Sequence, residues 1–289
     1  MSQTAVLSMR RTGYQFLRKM RAVLPAPPAP EQGANHLTAR LLRWTRARLV
    51  PRSKVWVQVE HGLAEGLWMR LQLPDETFLW RGEHEPDTQS LLAGLLKPGW
   101  VAYDVGSYAG FFALGMARVV GREGRVVAFE PDPENAARVR EQVARNGMQN
   151  QIETVEAAVW QAISETAIPY RRGSKARSQG GVDTGEVHPV LASGERILVR
   201  STSLDEFIAR GNPQPHLLKI DVEGGEAAVL AGAERLLTSR KPVIICEVHH
   251  EEAARWIELW LPAHGYDGEW LIPPEKFPRR LVARLASAI

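Results

Sequence analysis

The stretch WVAYDVGSYAGFFALGMARVV, Trp100 to Val120, decides the fold. It opens as a short apolar run closed by Asp104, passes through the glycine turn DVGSYAG, and continues as an apolar run of helical length. A strand entering a helix through a tight glycine turn is half of a parallel strand–helix–strand unit. Reading outward, the same alternation recurs. RVVAFE, IETVEAAV, HLLKIDV and PVIICEV are compact apolar runs, and PENAARVREQVARNG, EGGEAAVLAGAERLL and EEAARWIELWLPAHG are helical segments between and after them. This pattern predicts an α/β fold whose parallel sheet is flanked by helices, with ligands beyond the carboxyl ends of the strands.

The turn is spaced D-x-G-x-x-x-G, Asp104 to Gly110, with Gly106 between them. A dinucleotide fingerprint would place a glycine where Asp104 stands, so that the backbone could reach a pyrophosphate. A carboxylate there repels a diphosphate and suits a ligand with a cationic amino group. Glu130 closes the next strand, 24 residues after Gly106, at the spacing of an acid that accepts ribose hydroxyls. Ribose, ammonium and no phosphate describe S-adenosylmethionine. Pro131 and Asp132 then turn the chain into a helix, and Glu156 to Val159, Ala158 among them, are expected to border the adenine.

LLKIDVEGGE carries the second constellation. On a strand, Lys219, Asp221 and Glu223 share one face, and Glu247 and His249 share a face of ICEVHH, with His250 pointing away. Transfer to a neutral hydroxyl needs a group to take its proton. Asp221 is the first candidate and His249 the second, since an unperturbed imidazole titrates near ~6.5; Lys219 would orient Asp221. Asp221, Glu223, Glu247 and His249 could also gather around Mg²⁺, but no ligand spacing demands it, and no metal is expected.

The net charge of +3 conceals a division. Residues 1–54 hold 11 Lys or Arg against the single acid Glu31, leaving 25 bases against 32 acids in the remainder. The arm reads as two basic helical stretches around the proline run Pro25 to Pro30, a stiff spacer. It could meet a membrane surface or an acidic partner. The acidic body argues against nucleic acid. Residues 55–81 read as short antiparallel strands, with Val55, Val57 and Val59 and then Leu67, Met69, Leu71 and Leu73 facing inward. Trp56 and Trp68 are left on the other face and need a cover, for which an arm helix is the first choice; a homodimer surface is an alternative. The boundaries are thus 1–54 (arm), 55–81 (β element) and 82–289 (main domain). Residues 161–198 read as a surface loop with a hairpin or as a lid over the site. The one cysteine, Cys246, excludes an intrachain disulfide and predicts a reducing compartment, the cytoplasm. No apolar run approaches the ~18 residues of a membrane span.

Taken together, GEHEPDTQSLLAGLLKPG, YDVGSYAGFFAL, VVAFEPDPENAARVREQVARNG, TSLDEFI, LLKIDVEGGEAAVLAGAERLL and PVIICEVHH resemble the successive blocks of the FkbM family of S-adenosylmethionine-dependent methyltransferases, over residues 82–265. The resemblance implies a Rossmann-like, seven-stranded class I methyltransferase sheet and O-methyl transfer to a small-molecule hydroxyl on a sugar, polyketide or other metabolite. It also implies that Glu85, before the sheet, closes over the cofactor. Ser107 and Tyr108 stand where the family commonly has Ala-Asn, so these two cofactor-binding positions replace or lose the Asn contact. Trp160-Gln161 stand where the family often has a small residue and an acid. The rival readings are a cofactor-binding protein without turnover, a nucleic-acid methyltransferase and a nicotinamide-dependent oxidoreductase.

Overall fold

In a computed structural model, residues 54–162, 168–172, 181–182, 195–271 and 277–286 are described. Residues 1–53 of the basic arm, with both its expected helices and its proline spacer, lie outside them. Among the described residues no helix is long and apolar enough to cross a membrane.

The chain begins with a hairpin of β1 (Val55–Gln58) and β2 (Trp68–Leu71), paired antiparallel with Val57 opposite Met69. Val57, Val59, Met69, Leu71 and Leu73 are buried, as the alternation predicts. A short helix α1 (Thr77–Arg81) ends at Gly82, and α2 (Pro86–Leu95) leads to the main sheet. Next come β3 (Val101–Val105), α3 (Phe111–Val120), β4 (Arg125–Phe129), α4 (Pro133–Arg145), β5 (Ile152–Val155) and β6 (Ala158–Val159). Helix α3 is apolar nearly all round and is buried along most of its length. Helix α4 starts at the Asp132 side chain, which accepts the Glu134 N–H at 2.8 Å, with Pro133 in the first turn.

The unpaired edge of β2 is held by α4. Asn146 Oδ1 accepts the Trp68 N–H at 2.8 Å, its Nδ2 donates to Trp68 O, and Gln142 Oε1 accepts the Arg70 N–H at 2.9 Å. Side-chain amides there occupy backbone groups that an open edge would leave exposed. Trp56 and Trp68 lie under the Arg145 guanidinium, at 5.7 and 4.8 Å from their ring centres. Part of the cover expected from the arm thus comes from α4.

The region expected to be a loop with a hairpin contains β7 (Ile168–Arg171), β8 (Gly181–Val182) and β9 (Arg196–Val199), three antiparallel strands in the order β8-β7-β9. β10 (Ser201–Thr202) then pairs in parallel with β6, beside the main sheet. After α5 (Leu204–Ala209) and β11 (Leu217–Ile220), the segment expected to be one helix is two, α6 (Glu226–Ala231) and α7 (Glu234–Ser239). The break is at Gly232. Its carbonyl accepts the Asp205 N–H at 3.0 Å, and a Cβ there would stand 2.2 Å from Trp160 O. The Asp205 carboxylate in turn accepts the N–H groups of Arg235 and Leu236, both at 2.8 Å, and so starts α7 separately.

The chain closes with β12 (Val243–Val248), α8 (Glu251–Ala263), β13 (Tyr266–Trp270) and β14 (Arg279–Leu285). The main sheet has seven strands in the order β13-β14-β12-β11-β3-β4-β5. All neighbours from β12 to β5 are parallel, and β14 runs antiparallel between β12 and β13. The order reverses direction at β3 and β11, the switch point where open sheets of this kind bind ligands.

Candidate active site

The glycine turn is shaped by what lies against it. Gly106 has φ 88, and a Cβ on it would be 1.8 Å from the Asp221 carbonyl oxygen, so no other residue fits there. The turn is tied to β4 by the Gly106 and Ser107 N–H groups, which both donate to Phe129 O at 3.0 Å. Ser107 Oγ donates to the Asp104 carbonyl. Gly110 caps α3, where Val139 of α4 packs too closely for a larger residue without displacement.

Glu130 is buried at the end of β4. Its Oε2 accepts the Tyr108 N–H at 2.7 Å and its Oε1 the Asp132 N–H at 2.9 Å, so one carboxylate joins the glycine turn to the start of α4. Burial pushes its pKa up to about 8, against the pull of those two backbone donors. With Gly106, Pro131, Ala158, Trp160 and Asp221, Glu130 lines a pocket, to which β7 and β8 contribute Tyr170 and Val182. Trp160 and Tyr170 could not be found as wall residues from strand periodicity, because they depend on how β6 and β7 fold back over the sheet.

Asp104, Ser107, Tyr108, Gly110 and Glu85, expected as cofactor contacts, are not among the residues lining that pocket. Tyr108 turns away from it: its hydroxyl donates to Glu76 Oε1 at 2.5 Å and its ring lies 5.0 Å from the Arg138 guanidinium. Arg138 and Glu76 form a buried ion pair at 2.9 Å. The turn uses Tyr108 through its backbone, in the left-handed region at φ 47, where Asn is better accommodated than an aromatic residue.

Lys219 joins the glycine turn to the second constellation. Its Nζ lies 3.3 Å from Asp221 Oδ2, 3.7 Å from Asp104 Oδ1 and 4.6 Å from the Phe112 ring centre. All three ionisable groups are buried, and the two carboxylates hold the ammonium charged despite its burial. Asp104 is nevertheless raised to about 6, because burial outweighs Lys219. The strand ends at Ile220, and Glu223 follows in a left-handed turn at φ 54.

His249 meets that turn from β12. Its Nε2 is 3.5 Å from Glu223 Oε2 and 3.8 Å from Asp221 Oδ1, and its Nδ1 is 2.8 Å from Glu226 Oε1. Burial lowers its basicity, but the Glu226 hydrogen bond and charge, then Asp221 and Glu223, raise its pKa to about 10. It is therefore an imidazolium near neutral pH, unlike the unperturbed imidazole assumed for a proton acceptor. His250, expected to point away, lies against the turn: its ring leaves no room for a Cβ on Gly224.

Glu247 lies on the other side of Asp221, beside Arg280 of β14. Arg280 Nη2 is 3.2 Å from Glu85 Oε2 and 3.5 Å from Glu247 Oε2. Glu85 also accepts from Thr88 Oγ1 at 2.8 Å and sits at φ 43 immediately before α2. Burial first, then the negative charges of Asp221 and Glu85, hold Glu247 well above the usual carboxylate range. Ligand atoms of Glu85, Asp221 and Glu247 lie within 4.8 Å of one another, a different set from the one the sequence offered for Mg²⁺. Lys219 and Arg280 already supply cations to it. Sequence reasoning placed neither Glu226 nor Arg280 in this cluster.

A profile of the FkbM methyltransferase domain matches residues 104–267. A hexuronic acid methyltransferase of Haloferax volcanii is 28% identical over 71% of this chain and 84% of its own length. The 31-O-demethyl-FK506 methyltransferase of Streptomyces tacrolimicus is 30% identical over 59% of this chain and 74% of its own. The crystal structure of an FkbM methyltransferase from Methylobacillus flagellatus aligns at a TM-score of 0.45 and 18% identity, over 66% of this chain and 45% of that one. The switch-point pocket, the Asp104 turn and the matched profile span the same part of the chain, which belongs to the FkbM family of methyltransferases.

Proposed function

We propose that the protein is an S-adenosylmethionine-dependent O-methyltransferase acting on a hydroxyl of a sugar or polyketide-type small molecule. The observation that carries this reading is the position of Asp221, which lines the same pocket as Glu130 and Gly106 while ion-paired to Lys219. A proton acceptor and a ribose-binding acid thereby share one wall.

The residues present fit the cofactor. Asp104 Oδ1 and Oδ2 are buried and make no hydrogen bond, with the Lys219 ammonium 3.7 Å from Oδ1, so the carboxylate keeps room for a further donor such as a second ammonium. Asp104 would take the ammonium, Glu130 the ribose hydroxyls, and Ala158, Trp160 and Tyr170 would border the adenine. S-adenosylmethionine, when bound, supplies a methyl group activated on a sulfonium. Asp221 receives the proton that the acceptor oxygen loses as its bond to carbon forms. Lys219, 3.3 Å from Asp221 Oδ2, and His249, 3.8 Å from Oδ1, set two cationic groups beside this buried carboxyl, and Glu223 belongs to the same acceptor-facing group. The two curated relatives, one named for a hexuronic acid and one for an O-demethyl polyketide, support acceptors of this class.

Calorimetry with S-adenosylmethionine, together with label transfer to a panel of p-nitrophenyl glycosides and hexuronides and hydroxylated macrolides, tests the proposal. Binding with transfer to at least one acceptor, abolished by Asp221→Ala with binding retained, is the expected result. Binding without transfer across the panel would favour a cofactor-binding protein without turnover.

A further inference from the structure

Glu226 is the first residue of α6, fully buried, and it carries two hydrogen bonds on one oxygen. Oε1 accepts the Gly224 N–H at 2.8 Å and faces His249 Nδ1 at 2.8 Å. A carboxylate can only accept, so the proton between them belongs to Nδ1. The other ring nitrogen is thereby aimed at the turn after β11. From there Nε2 looks onto Glu223 at 3.5 Å and Asp221 at 3.8 Å, separations longer than an ordinary hydrogen bond. An oxygen atom lying to one side of the Nε2–Asp221 Oδ1 pair, within hydrogen-bond reach of both, can accept from the first and donate to the second. A hydroxyl has that combination of one donor and spare acceptor capacity; a thioether or a carboxylate does not.

We propose that Glu226 is a positioning residue, fixing the His249 ring so that Nε2–H and Asp221 together orient the hydroxyl that receives the methyl group. The inference rests on the O-methyl-transfer reading and deepens it. Glu226 acts through His249 and does not itself reach the acceptor. Burying a carboxylate at the start of a helix is costly unless its partners are fixed, and the two bonds on Oε1 are what holds it there. Its Oε2 has no hydrogen-bond partner, so the whole orienting role falls on Oε1.

The test uses the full chain and two variants, Glu226→Ala and Glu226→Gln, with His249→Ala as the reference. Proton–nitrogen NMR of the imidazoles, with His249 assigned by its loss in His249→Ala, reads the ring without needing an acceptor. A slowly exchanging Nδ1–H on His249 is expected in the wild type and in Glu226→Gln, whose amide oxygen can accept both bonds, and is expected to vanish in Glu226→Ala. With the best acceptor of the panel, Glu226→Ala should lower kcat about 100-fold while leaving cofactor affinity unchanged. Glu226→Gln should recover most of that loss. Adding Glu226→Ala to His249→Ala should cost nothing further. An Nδ1–H that survives Glu226→Ala, or an equal loss from Glu226→Ala in the His249→Ala background, would overturn the proposal. If no panel member is methylated, the O-methyl-transfer reading is what fails, and the NMR result still decides whether Glu226 sets the ring. Should Glu226→Ala not fold, Glu226→Gln decides alone: loss of the Nδ1–H signal in that isosteric variant overturns the proposal, and its retention supports it.

Discussion

Arg280 and Glu85 meet at 3.2 Å although 195 residues separate them. One guanidinium from the antiparallel strand β14 also lies 3.5 Å from Glu247, so it partners two half-buried carboxylates at once. Replacing Arg280 by Met keeps the stem and removes the charge, leaving Glu85 and Glu247 facing Asp221 uncompensated. Loss of one partner from a buried pair costs about 3 kcal/mol. Urea unfolding of Arg280→Met should show a loss of that order, and methyl transfer should fall with it.

Glu130 gives a pH dependence whose direction is fixed. Its carboxyl is raised to about 8 in the folded protein, so folding favours the protonated form, and its contribution to stability is lost as pH rises from its ordinary range through 8. Hydroxyl donors from a ribose favour the ionised form. Cofactor affinity should therefore increase about tenfold per pH unit between 6.5 and ~8 and then level off. Calorimetry across that range checks it, and Glu130→Gln should bind weakly and without the slope.

Tyr108 separates side-chain from backbone roles in the turn. Its hydroxyl bonds Glu76 beside the buried Arg138, away from the pocket. Tyr108→Phe should lower stability by about 1 kcal/mol and leave the cofactor dissociation constant within twofold. A large loss of affinity would place the phenol in the cofactor site after all.

Gly106 is tested by the smallest possible addition. A methyl group there overlaps the Asp221 carbonyl at 1.8 Å, and φ 88 is strained for alanine. Since backbone is the obstacle, the turn between β3 and α3 or the end of β11 must move. Gly106→Ala should lose cofactor binding by about 100-fold or more, measured by calorimetry on protein shown to be folded by circular dichroism.

The parts of the site that could be read from the sequence are those where local backbone geometry dictates residue type. Gly106 must accept a positive φ under a crossing carbonyl, and Glu130 must end a strand where it accepts the Tyr108 and Asp132 N–H groups; both leave a spacing in the chain. Lys219 and Asp221 were legible as a pair because strand alternation puts them on one face, and they do meet at 3.3 Å. Glu226 was hidden inside a run that reads as an ordinary helix start, since only the fold brings His249 to it. Arg280 was hidden further still. Nothing near residue 280 signals chemistry, and its partner Glu85 lies at the opposite end of the domain. The single helix expected over 223–237 failed for a similar reason, because Gly232 is fixed by contacts with Trp160 and Asp205 rather than by its neighbours in sequence.

Strand β14 lies between β12 and β13, and this insertion sets an order of completion. During synthesis Gly106, Glu130, Ala158 and Trp160 of the pocket emerge well before the carboxylate cluster has its guanidinium. Lys219 partners Asp221 within the central sheet, but Glu85 and Glu247 meet their guanidinium only once residue 280 has joined it. In chain order the groups that would recognise the cofactor thus come first, and the guanidinium that completes the acceptor-facing side comes from the last strand described.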